Sequence, residues 1–175
     1  MTAATTMTPP ETSQPRANEE LASASRAVLA RMIQGSPALQ EAAGGTDAAI
    51  ATLDALESVW VSLGEIPVHL AVRTAQGAGK ATIVFQPGSG SHALVYSVMA
   101  ELFARHGYHV VLVDRPGHGL SGGERGHCTI EDGIAAGDLA LEVARERFAA
   151  PTVLVGSSMG GLLTVFGLLA GSRPD

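Results

Sequence analysis

Apolar residues recur along the chain with two different periods, and the change of period marks its organisation. Over residues 19–34, Leu21, Val28, Leu29 and Met32 fall at helical spacing, and Ile50, Leu53 and Leu56 do the same over 46–56. Gly35-Ser36-Pro37 and Gly44-Gly45 lie between them as loop signals. From Ser58 the period falls to two: residues 59–63 and 68–73 alternate around a turn at Gly64-Glu65, which predicts a half-exposed antiparallel hairpin. Three near-continuous apolar runs follow, 81–85, 109–113 and 152–155, each too short for a helix and rich in Val and Ile, as suits strands buried on both faces. Between the first two, Leu94, Val95, Val98, Leu102 and Phe103 predict an amphipathic helix; between the second two, Ile134, Leu141 and Phe148 mark another. Thr129 with Asp132 resembles a capping box that starts this helix at Ile130. The order hairpin, strand, helix, strand, helix, strand, helix is that of the α/β class, with right-handed crossovers and a parallel sheet.

The chain thus divides into a disordered tail over 1–18, a helical N-terminal extension over 19–57 and an α/β domain over 58–175. The tail lacks the basic and apolar regions of a signal peptide. No apolar run nears the roughly 18 residues that read as a membrane span, so a cytoplasmic protein without a transmembrane segment is expected. With 46% apolar and 16% charged residues the chain can build a sizeable core. A net charge of −6 without any Lys/Arg cluster argues against a nucleic-acid partner. Cys128 is the single cysteine and cannot form an internal disulfide, which suits a reducing compartment; it reads as a small apolar loop residue. The scattered histidines lack the spacing of a zinc site, so neither metal nor cofactor is expected.

The chemistry lies where buried strands end. Residues 152–155 run into Gly156-Ser157-Ser158-Met159-Gly160, a G-x-S-x-G pattern that nominates Ser158 as a nucleophile on a sharp strand-to-helix turn flanked by small residues. After the first buried strand comes Gln86-Pro87-Gly88-Ser89-Gly90-Ser91-His92, a loop of small residues. Acyl transfer needs two backbone N–H groups aimed at the developing oxyanion, and Ser89 and Met159 are the candidates. Neither the P-loop nor the dinucleotide glycine pattern is present. After the second buried strand, Asp114-Arg115-Pro116-Gly117-His118-Gly119-Leu120-Ser121-Gly122-Gly123 reads as a structured turn.

In order and spacing, these three loops resemble the amino-terminal half of an α/β-hydrolase. Within that superfamily they are most similar to the monoacylglycerol lipase, lysophospholipase and serine aminopeptidase-like group, over roughly residues 58–170. The resemblance implies Ser158 as nucleophile, with Ser89 and Met159 donating backbone N–H groups to the oxyanion. It further implies a serine hydrolase of carboxylic esters acting through an acyl-enzyme, with acylglycerol or lipid esters among the small-molecule substrates. Pro87-Gly88 stands where many members have His-Gly, and Ser157 where His is frequent. Relatives with an Asp nucleophile are disfavoured, because Ser158 occupies that position.

A serine hydroxyl needs a general base, and the base an orienting acid. The family orders them Ser, acid, His, yet His69, His92, His106, His109, His118 and His127 all precede Ser158, and Asp175 reads as a chain-end residue. His92 and His118 lie on the rim where ligands bind in such sheets. His106 and His109 flank a strand start at the opposite rim, and His69 and His127 read as surface or loop residues. The expectation is therefore a truncated hydrolase lacking the acid and His, whose exposed sheet edge invites self-association. The alternatives are a non-catalytic docking module, and a peptidase or acyltransferase of the same superfamily.

Overall fold

The computed structural model describes residues 15–175. Three helices come first, α1 (Pro15–Gln34), α2 (Pro37–Ala43) and α3 (Thr46–Asp54). Helix α1 starts at Pro15, inside the stretch expected to be tail, and the rest of that stretch, residues 1–14, lies outside the described residues. Helix α2 occupies a segment that reads from sequence as a connection. Ser36 caps it by accepting the Leu39 N–H, Pro37 opens it, and Gly44 ends it in the left-handed region with φ 78°. Leu29, Ile33, Ala43 and Ala49 bury the inner face of this extension against Val98 of the main domain.

The main domain is a five-stranded sheet in the order β1-β2-β4-β3-β5. Strands β1 (Glu57–Leu63) and β2 (Ile66–Arg73) form the predicted hairpin, with Val59 opposite Leu70. Strand β2 also pairs antiparallel with β4 (Tyr108–Val113), whereas β3 (Ala81–Gln86) pairs parallel with both β4 and β5 (Thr152–Gly156). The sheet is therefore mixed. Helix α4 (Ser97–Arg105), entered through a 3-10 turn at Ala93–Tyr96, covers one face, and α5 (Ile130–Arg147) and α6 (Met159–Ala170) cover the other. Thr129 caps α5 by accepting the Asp132 N–H at 3.0 Å, as the capping-box reading requires.

Alternate residues of one strand serve the two faces. Val111 and Val113 pack with Val84, Ala140 and Leu141 on the α5 side, while Val110 and Leu112 pack with Phe85 and Ala100 on the α4 side. Two strands depart from the expected burial. Strand β2 is buried along most of its length rather than half-exposed, because it lies inside the sheet between β1 and β4. Strand β5 is buried only in part, with Val153 and Val155 exposed, because it is an edge strand among the described residues. No helix among the described residues is long and apolar enough to cross a membrane.

Candidate active site

The carboxyl ends of β3, β4 and β5 bring the three loops to one rim. Ser158 closes β5 and opens α6 with φ 50° and ψ −117°, and it is the one non-glycine residue with positive φ among those described. A side chain held in that region is strained, so the surroundings must over-determine it. They do so by close approach. The Ser157 N–H donates to the Gln86 carbonyl at 3.1 Å, and a Cβ built on Gly160 would stand 2.0 Å from that same oxygen. Only glycine at position 160 lets the elbow seat on the end of β3.

Ser89, on the loop after β3, and Met159, at the start of α6, are both exposed, and a Cβ built on Gly88 would lie 3.5 Å from Ser158 Cβ. Met159 is the first residue of α6, so its N–H is one of the helix's orphan donors. Ser89, Met159 and His118 share the wall of a cavity of about 270 Å³ with the apolar side chains of Leu163 and Phe166 and with Arg115.

Two buried residues organise the rim, and sequence reading had given neither a role. Asp114 is fully buried and its carboxylate accepts from three donors: His69 Nδ1 at 2.8 Å, the Ala93 N–H at 2.6 Å and the Leu120 N–H at 3.0 Å. Burial pushes this carboxyl up, but the His69 ring and the two backbone donors outweigh it and hold the pKa below the ordinary carboxylate range. Arg115, only 3% exposed, donates to the carbonyls of Pro87 and Gly88. Burial lowers its pKa from the ordinary guanidinium value.

His69 is a correction. It reads from sequence as a surface or loop residue, yet it is fully buried in β2, with Nδ1 on Asp114 and Nε2 2.9 Å from Ser58 Oγ. The available signal was its place in the run Val68-His69-Leu70-Ala71-Val72, where an imidazole among apolar neighbours needs partners. Ser121 completes the fastening, accepting the His69 N–H and donating to the Asp114 carbonyl.

The other histidines divide as expected between the two rims. His92 precedes the 3-10 turn beside Asp114, with Nδ1 buried and unpartnered among the described residues; burial lowers its pKa and the Asp114 charge offsets part of that. His118 turns back onto the Pro116 carbonyl at 3.0 Å. At the far rim, His106 bonds the Leu102 carbonyl and His109 stacks on Phe148. His127 is exposed in the loop before α5. No hydrogen bond joins any histidine to Ser158 among the described residues. Asp175 accepts from the Thr152 N–H and hydroxyl at the start of β5, the end of that strand remote from Ser158. These Thr152 bonds lower its pKa.

Comparison with known proteins agrees with this arrangement. Residues 77–173 match the family described as serine aminopeptidase, S33. Among curated proteins, a phospholipase of Bacillus subtilis, YtpA, is 36% identical over 86 residues, covering 49% of this chain and 33% of the relative. The (E)-2-((N-methylformamido)methylene)succinate hydrolase of Acinetobacter baylyi is 33% identical over 100 residues, covering 57% of this chain and 35% of the relative. The chain thus spans about a third of the length of these relatives. Among solved structures, the α/β hydrolase GrgF of Penicillium superposes with a TM-score of 0.57 at 21% identity, covering 64% of this chain and 40% of that one. A CIB-like hydrolase of Thermoplasma acidophilum does so with a TM-score of 0.52 at 20% identity, covering 67% and 57%. Fold, loop order and family match converge: the chain belongs to the serine aminopeptidase S33 family of α/β-hydrolases.

Proposed function

We propose that Ser158 is the nucleophile of a serine hydrolase that cleaves carboxylic esters through an acyl-enzyme. The observation that carries this reading is the strained backbone of Ser158 at a strand-to-helix turn, seated on β3 beside the loop of Gly88 and Ser89. In the proposed reaction the Ser158 oxygen attacks the ester carbonyl, whose oxygen becomes an oxyanion facing the N–H groups of Ser89 and Met159. Collapse of the tetrahedral species expels the alcohol, and water then releases the acid. The apolar part of the cavity, with Leu163 and Phe166, suits an aliphatic acyl group; acylglycerol and other lipid esters are the substrates it favours. The base and acid of this mechanism are proposed to belong to sequence beyond residue 175, because the matched relatives are about three times as long as the part they share with this chain. The test is labelling by a fluorophosphonate together with hydrolysis of a p-nitrophenyl ester. Both are expected in a chain that carries that base and acid and are lost in its Ser158→Ala variant; equal labelling of the variant would remove the assignment.

A second reading has its own observation. Val153 and Val155 on β5, and Leu162, Val165, Phe166, Leu168 and Leu169 on α6, form an exposed apolar surface beside a strand edge that pairs with no further strand among the described residues. Such an edge pairs readily with another strand, so we infer that self-association or docking occurs there. A concentration-independent monomer in sedimentation velocity would contradict it.

A further inference from the structure

We infer that Arg115 is the positioning residue of the oxyanion loop, acting through the peptide that joins Gly88 to Ser89. This rests on the proposed reading of Ser158 and Ser89. The Gly88 carbonyl and the Ser89 N–H are the two ends of one planar trans peptide and point in opposite directions. Arg115 donates to that carbonyl at 3.1 Å and to the preceding carbonyl of Pro87, so one rigid guanidinium fork grips two successive peptide oxygens. With its oxygen held toward Arg115, the Gly88–Ser89 peptide turns its N–H to the other side. The same loop lies against the elbow, where a Cβ built on Gly88 would meet the Ser157 carbonyl at 3.4 Å and Ser158 Cβ at 3.5 Å. The Ser91 N–H adds a longer bond of 3.3 Å to the Gly88 carbonyl and closes the turn. The Ser89 N–H itself has no acceptor among the described residues. A buried cation bonded to one end of a peptide also polarises the donor at the other end.

Position 87 explains why an arginine is needed here. A proline has no N–H with which to tie the loop to its neighbours, and no side-chain group of Pro87 can donate a hydrogen bond. Within the loop the Ser91 N–H reaches the Gly88 carbonyl, and the only side chain bonded to the 87 and 88 carbonyls among the described residues is that of Arg115. Arg115 itself follows β4 and the buried Asp114 in the chain. The loop after β3 is thus aimed from the loop after β4.

The test compares the protein that carries the proposed base and acid with its Arg115→Ala and Arg115→Lys variants by ester kinetics and by the NMR order parameter of the Ser89 amide. In Arg115→Ala, kcat is expected to fall by about 10- to 100-fold, less than the roughly 10²–10³ for loss of a whole oxyanion donor, with KM within about threefold. The Ser89 order parameter is expected to drop from about 0.85 to below about 0.6, while β4 amides keep theirs. Millimolar guanidinium restores both in this variant, which a general structural role does not predict. Arg115→Lys keeps the charge but cannot grip both carbonyls, and shows the same changes to a smaller degree. An unchanged order parameter at Ser89 in either variant, a KM effect with kcat intact, or failure of guanidinium to restore Arg115→Ala overturns the inference. The order parameter reads the loop whether or not Ser158 reacts. A Ser158→Ala variant that still labels therefore removes the nucleophile assignment without touching the Arg115 arm.

Discussion

The loops after β3 and β4 and the turn after β5 stand on the same rim of one sheet, but they are held by opposite means. Behind the first two lies a buried polar network in which hydrogen bonds link Ser58, His69, Asp114 and Ser121, and beside it Arg115 bonds the Pro87 and Gly88 carbonyls; Asp114 and Arg115 are almost wholly buried. Behind the third no such network occurs among the described residues. Ser158 is fixed by the close approach of glycines to β3, and the helix it opens exposes most of its large apolar residues, with Leu169 80% exposed. The difference teaches that the two parts of the candidate site tolerate change differently. Buried polar groups are costly to leave unpaired, whereas an exposed apolar face has little left to lose.

The largest expected effect is at Asp114. Asp114→Ala strands three donors, those of His69 and Ala93 in buried bonds and that of Leu120 in a part-buried one, and should lower stability by about 3–5 kcal/mol, read from the urea midpoint at constant slope. A loss under about 1 kcal/mol would erase the contrast between the two regions, since that is no more than one ordinary hydrogen bond. Next is Gly160→Ala, whose Cβ would collide with backbone oxygens of Gln86 and Pro87 at 2.0 and 2.6 Å. A cost of about 1–3 kcal/mol is expected, with loss of fluorophosphonate labelling from a displaced Ser158. Retained labelling at unchanged stability would show that close packing does not hold the elbow.

Acid should sharpen the comparison further. The Asp114 pKa is depressed in the folded protein, so the unfolded chain takes up this proton first as pH falls. Its contribution to stability is complete above the ordinary carboxylate pKa and is lost as pH drops through the lower, folded value. The stability gap between the protein and Asp114→Ala should therefore narrow in strong acid, and a gap independent of pH would deny the carboxylate its role. The smallest effect is on the exposed helix: Leu169→Lys should change stability by no more than about 0.5 kcal/mol while reducing light scattering at high concentration. A larger destabilisation would mean that α6 is better covered than its exposure indicates.

Much of this contrast was readable in the chain, but not evenly. The hairpin, the three Val- and Ile-rich strands and the start of α5 at Thr129 follow from local periodicity and capping, which depend on residues near in sequence. Helix α2 escaped because Pro37-Ala38-Leu39-Gln40-Glu41-Ala42-Ala43 is too short to display a period. Ser158, Ser89 and Met159 were nominated by a motif whose glycines state their own steric reason. Arg115 was not, because a charged residue in a glycine-rich turn looks solvated until the loop from β3 is folded over it.

The sequence by itself determined which segments become strands and helices, and where sharp turns present Ser158, Ser89 and Met159, because dihedral preference and amphipathic period act over a few residues. Only the tertiary structure decided that β4 lies between β2 and β3, burying β2 and drawing His69 onto Asp114. It also decided that Arg115 reaches back to the carbonyls of Pro87 and Gly88, more than 25 residues earlier in the chain. Such pairings have no local signal, since a buried charge is made tolerable by partners that only the packed sheet brings within hydrogen-bond distance.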